Sequence, residues 1–259
     1  MPNHWLVAAI CAFWFLMMAL LLERDILPQW QMHSGPDFRA IAEAALDSGP
    51  VRWAVLQGED RIGTAETSWV RHPDGSAEFR GDLDLRNLTT SPTLVEMAGD
   101  GRLRWQSVCQ VSSDGNLELL NIQVYWGDSK PAMTVHGKVN GDIMKVVFRS
   151  GAFSHEEEFY YEPHSLVMSA LAPIDKLPNL SLGQKWQHHV MNPIPMLGKT
   201  DIVRCEVTGE QVITWRGEPV PTYVVEQTYG HIRASCWVAH DGTVLRQEVP
   251  IGALVLEHE

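Results

Sequence analysis

The stretch that decides the fold is HIRASCWVAHDGTVLRQEV, residues 231–249. Its first half alternates between apolar and polar residues, so that Cys236 and Val238 point to the same side of an extended strand. The dipeptide Asp241-Gly242 follows, and these residue types adopt the positive φ of a tight hairpin turn without strain. The stretch therefore predicts an antiparallel hairpin with one apolar and one solvent-exposed face.

Three residues are candidates for ligand binding. If Asp241-Gly242 forms a two-residue loop, Val238 pairs with Leu245 on the apolar face, and Trp237 lies opposite Arg246 on the other face, as a cation–π pair. Trp69 alternates with small and polar residues in an earlier strand, which predicts a half-exposed position. Trp69, Trp237 and Arg246 thus form the candidate ligand-binding set, and ordinary sheet packing is the alternative.

Cys236 stands beside a tryptophan, as the nucleophile of papain-like proteases does. In those enzymes the cysteine begins a helix, whose dipole lowers the thiol pKa, whereas Cys236 falls within a strand and on its apolar face. We interpret it as a core residue. Cys205 also shares its strand face with apolar residues, and Cys205 with Cys236 is the pair that an oxidising compartment could join in a disulfide. We therefore expect no catalytic residue, and we predict that the protein is not an enzyme.

Short β-rich runs separated by turn dipeptides continue from Val51 to the end of the sequence. This pattern predicts a mainly β domain over residues 51–259, an antiparallel curved sheet or half-barrel of about 12 to 15 strands. Residues 51–163 and 183–259 are candidate sub-sheets within it. The six hairpin signals are Asp74-Gly75, Asp114-Gly115, Asn140-Gly141, Gly209-Glu210, Gly217-Glu218 and Asp241-Gly242.

A long apolar run precedes this domain. Residues 5–22 read WLVAAICAFWFLMMALLL, 18 residues without a charge. As a helix they would span about 27 Å, close to the hydrocarbon thickness of a bilayer. A signal peptide is the alternative, but the run lacks its basic flank and its cleavage site. We therefore predict an uncleaved transmembrane anchor over residues 1–25, with membrane lipid contacting residues 5–22.

A linker and an amphipathic helix are predicted over residues 26–50. Phe38, Ile41, Ala42 and Ala45 fall at helical spacing on one face. Such a helix either lies on the membrane or packs against its own domain. The polar face has no Lys/Arg stripe, which favours packing on the domain.

The charge balance excludes one class of partner. The chain has 20 Lys and Arg against 32 Asp and Glu, a net charge of −12. So acidic a protein is unsuited to nucleic acid, whose phosphates require clustered positive charge. His155 and Glu157 share a strand face, but the sequence has no third ligand at a recognised metal spacing. We expect neither a metal nor a cofactor, because phosphate-loop and dinucleotide motifs are absent as well.

The order of four segments resembles that of bacterial extracytoplasmic β domains. The segments are GEDRIGTAETSWVRHPDG (58–75), VHGKVNGD (135–142), LGQKWQHHVMNPIPM (182–196) and SCWVAHDGTVLRQEVP (235–250). They are similar to the curved-sheet proteins related to Lol-type lipoprotein carriers, and to the sheet domain that precedes transglutaminase-like domains. The resemblance implies a concave sheet that is covered by a helix and holds acyl chains.

These observations predict a single-pass protein of the inner (cytoplasmic) membrane, with its C-terminal domain in the periplasm. Its expected function is non-catalytic binding of a lipid, a lipoprotein or another apolar ligand on the curved sheet. The alternative is a structural or assembly subunit of a cell-envelope protein complex. An apolar cavity would favour the first function, and an exposed apolar patch or an unprotected edge strand would favour the second.

Overall fold

The computed structural model describes residues 4–21, 36, 38–46, 49–86, 102–127, 130–161, 163, 173–190, 201–229, 232–249 and 253–259. Two helices and fourteen strands lie within these ranges. They are α1 (His4–Leu21), α2 (Phe38–Ala45), β1 (Val51–Gln57), β2 (Asp60–Arg71), β3 (Ala77–Leu85), β4 (Leu103–Val111), β5 (Leu117–Trp126), β6 (Met133–Asn140), β7 (Ile143–Ser150), β8 (Phe153–Tyr160), β9 (Lys185–Val190), β10 (Asp201–Trp215), β11 (Glu218–Tyr229), β12 (Ile232–Ala239), β13 (Val244–Val249) and β14 (Leu254–His258).

Helix α1 covers the long apolar run, apart from Leu22, which lies outside the described residues. Apolar side chains of α1 are exposed, among them Trp5 at 85% and Phe15 at 67%. No helix among the described residues has the combined length and apolar character needed to span a bilayer. The transmembrane anchor therefore stays a prediction.

Helix α2 packs on the sheet, as its amphipathic pattern predicts. Ile41, Ala42 and Ala45 are buried in the same core as the strands, and the helix contacts β2. The linker predicted before α2, residues 26–35, lies outside the described residues.

All fourteen strands belong to one antiparallel sheet, which confirms the mainly β, antiparallel part of the predicted fold class. Strands β1 to β8 run outward in sequence from the middle of the sheet to one edge, and β9 to β14 return from the other edge. Strand β14 then pairs with β1, with Val55 opposite Leu256. The two candidate sub-sheets are thus joined through β1 and β14. Because β8 and β9 are not paired with each other, the sheet is not closed into a barrel.

Hairpin turns lie at or next to five of the six signals. Two of the loops are shifted by one residue from the predicted dipeptide, to Gly141-Asp142 and Arg216-Gly217, so Asn140 and Glu218 are strand residues. Gly209-Glu210 lies inside β10 and not at a turn, so that prediction is wrong. The register between β10 and β11 shifts between Val207 and Gly209. The glycine therefore marks a bulge in a long strand, which is the other role of glycine in a strand interior.

One face of the sheet carries the core. Following the register from Trp53, the row continues through Ala65, Leu83 and Trp105, and all four are buried. We call this the inner face, and the opposite one, which carries Trp237, the outer face. Polar and charged residues alternate with the core residues and populate the outer face, as expected for an antiparallel sheet that is covered on one side.

The connector from β8 to β9 crosses the middle of the sheet. At its described part, residues 173–182, Leu177 donates its backbone N–H to the carbonyl of Gly242 at 2.8 Å. Val244 in turn donates its N–H to the carbonyl of Asp175 at 3.0 Å. The turn of the β12–β13 hairpin thus holds the connector, which covers one end of the inner face.

Candidate functional site

Trp237 and Arg246 face each other on the outer face, as the sequence predicts. The guanidinium carbon of Arg246 lies 5.3 Å from the centroid of the Trp237 ring. The indole Nε1 of Trp237 donates to Oε1 of Gln211 at 2.9 Å, and Nη1 of Arg246 lies 3.6 Å from Oε1 of Glu257. The pair is therefore held in a polar network that remains partly open to solvent.

The hairpin that carries this pair has a different turn from the predicted one. Val238 pairs with Val244 and not with Leu245, because the register shifts after Trp237. The amide of Ala239 donates to the carbonyl of Thr243 at 2.8 Å, and Gly242 adopts a φ of 83°. This is a three-residue loop with glycine in the left-handed position, and it leaves the buried Leu245 as the bulged residue.

The tip of the β10–β11 hairpin covers part of the outer face. The indole Nε1 of Trp215 donates to the carbonyl of His258 at 2.8 Å, so the tip reaches as far as β14. Between the tip and the sheet is a cleft of about 260 Å³, bordered by Ile213, Trp215 and Arg246. Arg246 is the predicted site residue that lies at this cleft.

Trp69 is not half-exposed, and that prediction is wrong. Its exposed fraction is 9%, and its ring packs on Phe79 with centroids 4.9 Å apart. The small neighbours Ala65 and Thr67 also face inward, so the whole strand face is core. Trp69 therefore lies on the face opposite to Trp237 and Arg246, and the structure does not join the three predicted residues into one site.

The indole of Trp69 interacts instead with a buried carboxyl group, that of Asp175, which was not among the predicted site residues. Asp175 of the connector is 2% exposed, and burial raises its pKa. Backbone amide groups and the indole of Trp69 oppose this rise, yet neither carboxyl oxygen has a hydrogen bond of ordinary geometry with a described residue. The available signal was a lone acid in an apolar, proline-bounded segment, APIDKLP, residues 172–178.

Asp175 borders a second cleft, of about 680 Å³, at the same end of the sheet. His258 lies in this cleft, with its ring stacked on Trp53 at a centroid distance of 5.2 Å. Burial lowers the pKa of His258, and the positive charges of Arg216 and Lys176 lower it further. A carboxyl group with a raised pKa and an imidazole with a lowered pKa are features that functional sites often share. However, both oxygens of Asp175 are shielded from solvent, so in this conformation the carboxyl does not reach a substrate.

The cysteines on the sheet are buried free thiols. Burial raises the pKa of Cys109 and that of Cys205 to about 12, and burial together with Cys205 raises the pKa of Cys236. Cys205 and Cys236 lie on β10 and β12, separated by β11. Two interstrand spacings of about 4.8 Å exceed the Cα separation that a disulfide accommodates. Their disulfide would need the strands to move, and it stays a prediction.

The edge strand β8 combines exposed aromatic residues with charged ones. Phe153 is 59% exposed and Tyr160 is 69% exposed. His155 and Glu157 share the inner side of the strand, with Nε2 and Oε2 3.6 Å apart. Among the described residues, no group of three or more His, Cys, Asp or Glu side chains is placed to hold a metal ion.

Comparisons with known proteins give similarities to three solved protein chains, two of which follow, and no family. No family model matches the chain, and no curated protein matches it. A β-barrel-like protein of the domain of unknown function DUF1849 from Brucella abortus is similar over 81% of this chain and 94% of its own, with 8% identity and a TM-score of 0.46. A DUF1089 family protein from Pseudomonas aeruginosa is similar over 73% of this chain and 91% of its own, with 15% identity and a TM-score of 0.35. Such similarities bring no function to this chain.

Proposed function

We propose that the chain is a membrane-anchored, extracytoplasmic, non-catalytic protein that binds a lipid, a lipoprotein or another apolar ligand on the inner face of its curved sheet. One observation carries the proposal, and it is an exposed apolar patch, not the apolar cavity that ligand binding predicts, so it also favours the second function given below. The apolar inner face extends to the free edge of the sheet, where Phe153 is 59% exposed beside Phe148, which is 6% exposed. Their ring centroids are 6.0 Å apart.

Phe148 and Phe153, which we call the aromatic mouth, border this open end on the inner face, and Phe159 lies further along the same side of β8. Phe148 lies opposite His155 in the β7–β8 register, and the rings of Phe153 and His155 are stacked with centroids 6.3 Å apart. Apolar sites typically carry a few polar groups that orient the ligand. An acyl chain on the mouth would have its polar head beside His155.

The anchoring part of the proposal rests on the uncharged apolar sequence of residues 5–22, since α1 as described lacks the length and apolar character needed to span a bilayer. The helix from His4 to Leu21 contains no charged residue, and the aromatic side chains of Phe13 and Trp14 are more than half exposed. Apolar surface of this extent is stable when an apolar phase covers it. The extracytoplasmic location and the lipid ligand are supported by the resemblance to Lol-type lipoprotein carriers. That resemblance implies a concave sheet that holds acyl chains.

The non-catalytic part is supported by the chemistry of the titratable groups. A nucleophilic cysteine requires a lowered pKa and access to substrate, and Cys236 has a raised pKa and is 2% exposed. Asp175 and His258 border the same cleft, and the carboxyl group of Asp175 has no access to solvent. An enzyme would expose such a thiol or carboxyl group to its substrate. The burial of both groups therefore favours a structural role for Cys236 and Asp175.

Site-specific photocrosslinking in intact cells tests the ligand. With a benzophenone amino acid at Phe153 in the full chain, we expect an adduct with the mass of a lipid, because the side chain lies at the open end of the inner face. The same group at Val212, which is 63% exposed on β10, serves as the matched control. Lipid adducts that are equal at both positions, or absent at Phe153, would reject the ligand-binding function.

A second function is favoured by the backbone of β8. This strand ends the sheet, and within the described part of the chain no strand pairs with its outward side. Exposed edges of this kind accept strands from other chains, which supports the role of an assembly subunit in a cell-envelope complex. A benzophenone at Ser154, on the outer side of β8, should then give a protein adduct, whereas a lipid adduct at Phe153 alone would leave ligand binding as the function.

A further inference from the structure

Strand β8 presents an ordered row of backbone groups at the side where no strand of the described ranges pairs with it. Tyr161 donates its N–H to the carbonyl of Asp142 at 2.8 Å, and the β7–β8 register continues from this pair without a bulge. Backbone groups alternate in direction along an antiparallel strand. The N–H and C=O groups that point away from β7 are therefore those of Ser154, Glu156, Glu158 and Tyr160, which we call the β8 edge.

The β8 edge is strongly acidic. Glu156, Glu157 and Glu158 are consecutive, and the first and last of them are exposed on the outer face. Nζ of Lys145 lies 2.6 Å from Oε1 of Glu156, and Glu158 acts on the same ammonium group. One lysine thus serves two glutamates. Arg149 of β7 lies opposite Ser154 on the same face, so the acidic character belongs to the run of three glutamates on β8 itself.

This charge disfavours a second copy of the chain as the partner. If two β8 edges paired antiparallel about a twofold axis in the fully overlapped register, Glu156 would lie opposite Glu158 and Glu157 opposite its own equivalent. Like charges directly opposite each other destabilise a strand pair. Acidic side chains on an edge also prevent indiscriminate pairing, so an accepted strand must carry positive charge.

We propose that the β8 edge pairs with an extended basic strand of a partner protein. The inference rests on the assembly role proposed above and gives that role its partner chemistry. Lysine or arginine side chains on the outer side of the added strand would face Glu156 and Glu158. Apolar side chains on its inner side would extend the core past Phe153 and Phe159. Backbone hydrogen bonds to the edge would supply the affinity, and the charges would select the partner.

The test uses the full chain in lipid nanodiscs and a labelled eight-residue peptide of alternating Lys and Val. We expect saturable binding by fluorescence anisotropy that weakens as salt increases, because exposed charges are screened. A peptide of alternating Glu and Val is the control. The proposal is overturned if the acidic peptide binds equally well, or if the basic one does not bind.

A proline variant locates the bound peptide. Glu156→Pro removes an N–H that points away from β7, so it leaves the β7–β8 ladder intact. We expect the peptide dissociation constant to rise at least about tenfold, which is the effect of losing about 1.4 kcal/mol. Gln187→Pro is the matched control on β9. Val207 donates its N–H to the carbonyl of Gln184 there, so the N–H of Gln187 points to the free side. Equal effects of the two prolines would reject the β8 edge.

Hydrogen exchange on the unmodified chain makes the result independent of the variant's folding. Added peptide should slow exchange at the amides of Glu156 and Glu158, and leave Gln187 unchanged. Protection elsewhere, or none, would overturn the proposal. A protein adduct at Ser154 in cells without peptide protection in vitro would retain the assembly function and reject the basic strand. Without adduct at Ser154, the assembly function itself fails.

Discussion

The guanidinium group of Arg246 lies over the indole of Trp237, 5.3 Å from the ring centroid, with the two residues paired across β12 and β13. Arg246→Ala should lower the free energy of unfolding by about 0.5 to 1 kcal/mol, as for a partly exposed cation–π pair. Urea titration followed by tryptophan fluorescence measures this. Arg233→Ala, an exposed arginine on β12, is the matched control, and an equal loss there would mean that the stacking contributes nothing.

Asp175 makes stability depend on pH. Its pKa is raised by burial from the ordinary value of 3.8. At pH values between 3.8, the pKa of the unfolded state, and the raised pKa of the folded state, the folded protein keeps a proton that the unfolded chain has lost. The free energy of unfolding is therefore greatest below this pH range and falls as the pH rises through it. Asp175→Asn removes this fall.

At neutral pH we expect Asp175→Asn to raise the free energy of unfolding by about 1 kcal/mol, since it removes a poorly paired buried charge. Urea titration measures the difference. The advantage should shrink as the pH falls towards 3.8. Asp142→Asn, at an exposed turn position, is the control. A variant that is less stable than the parent at neutral pH would show that the Asp175 carboxylate is well paired.

Gly63 packs against the neighbouring strand too closely for a side chain. A Cβ atom there would approach Leu85 Cδ2 to 2.9 Å and would overlap the carbonyl of Asp84. Gly63→Ala should therefore lower the free energy of unfolding by about 1 to 3 kcal/mol. Gly209→Ala has open space around the added atom and should change it far less. Similar unfolding curves for the two variants would contradict the close approach.

The three thiols on the sheet should be unreactive until the chain unfolds. In a chain with Cys11→Ser, a disulfide reagent at pH 8 should label Cys109, Cys205 and Cys236 at the rate of unfolding, because a buried thiol with a raised pKa forms little thiolate. A Ser154→Cys version supplies an exposed thiol on β8 that reacts at once. Rapid native labelling of Cys236 would instead identify a reactive nucleophile.

The sequence predicts features that depend on near neighbours. The turn dipeptides Asp74-Gly75 and Asp114-Gly115 lie at hairpin turns, because positive φ is a local requirement that their glycines meet. The cation–π partner of Trp237 is predictable because hairpin register follows from the turn. The same argument places Leu245 wrongly, since a three-residue loop and a two-residue loop look alike in sequence and differ by one bulge.

The candidate site residues show why burial and long-range contacts were not predictable from the sequence. Trp69 and Trp237 have similar alternating neighbours, yet one is core and the other is half-exposed. The burial of Trp69 depends on the connector that carries Asp175, about a hundred residues further along the chain. Asp175 itself has no local signature beyond its apolar surroundings.

The sequence by itself determined the elements: an apolar N-terminal helix, an amphipathic helix, and a series of antiparallel hairpins with one apolar face. Alternation and turn chemistry specify these because they act over a few residues. Only the tertiary structure decided that β14 pairs with β1, which joins both halves of the chain into one sheet and leaves β8 and β9 as its edges. Such pairing balances loop closure against core burial across the whole chain, and it sets which strands lie at the two edges of the sheet that the described residues form.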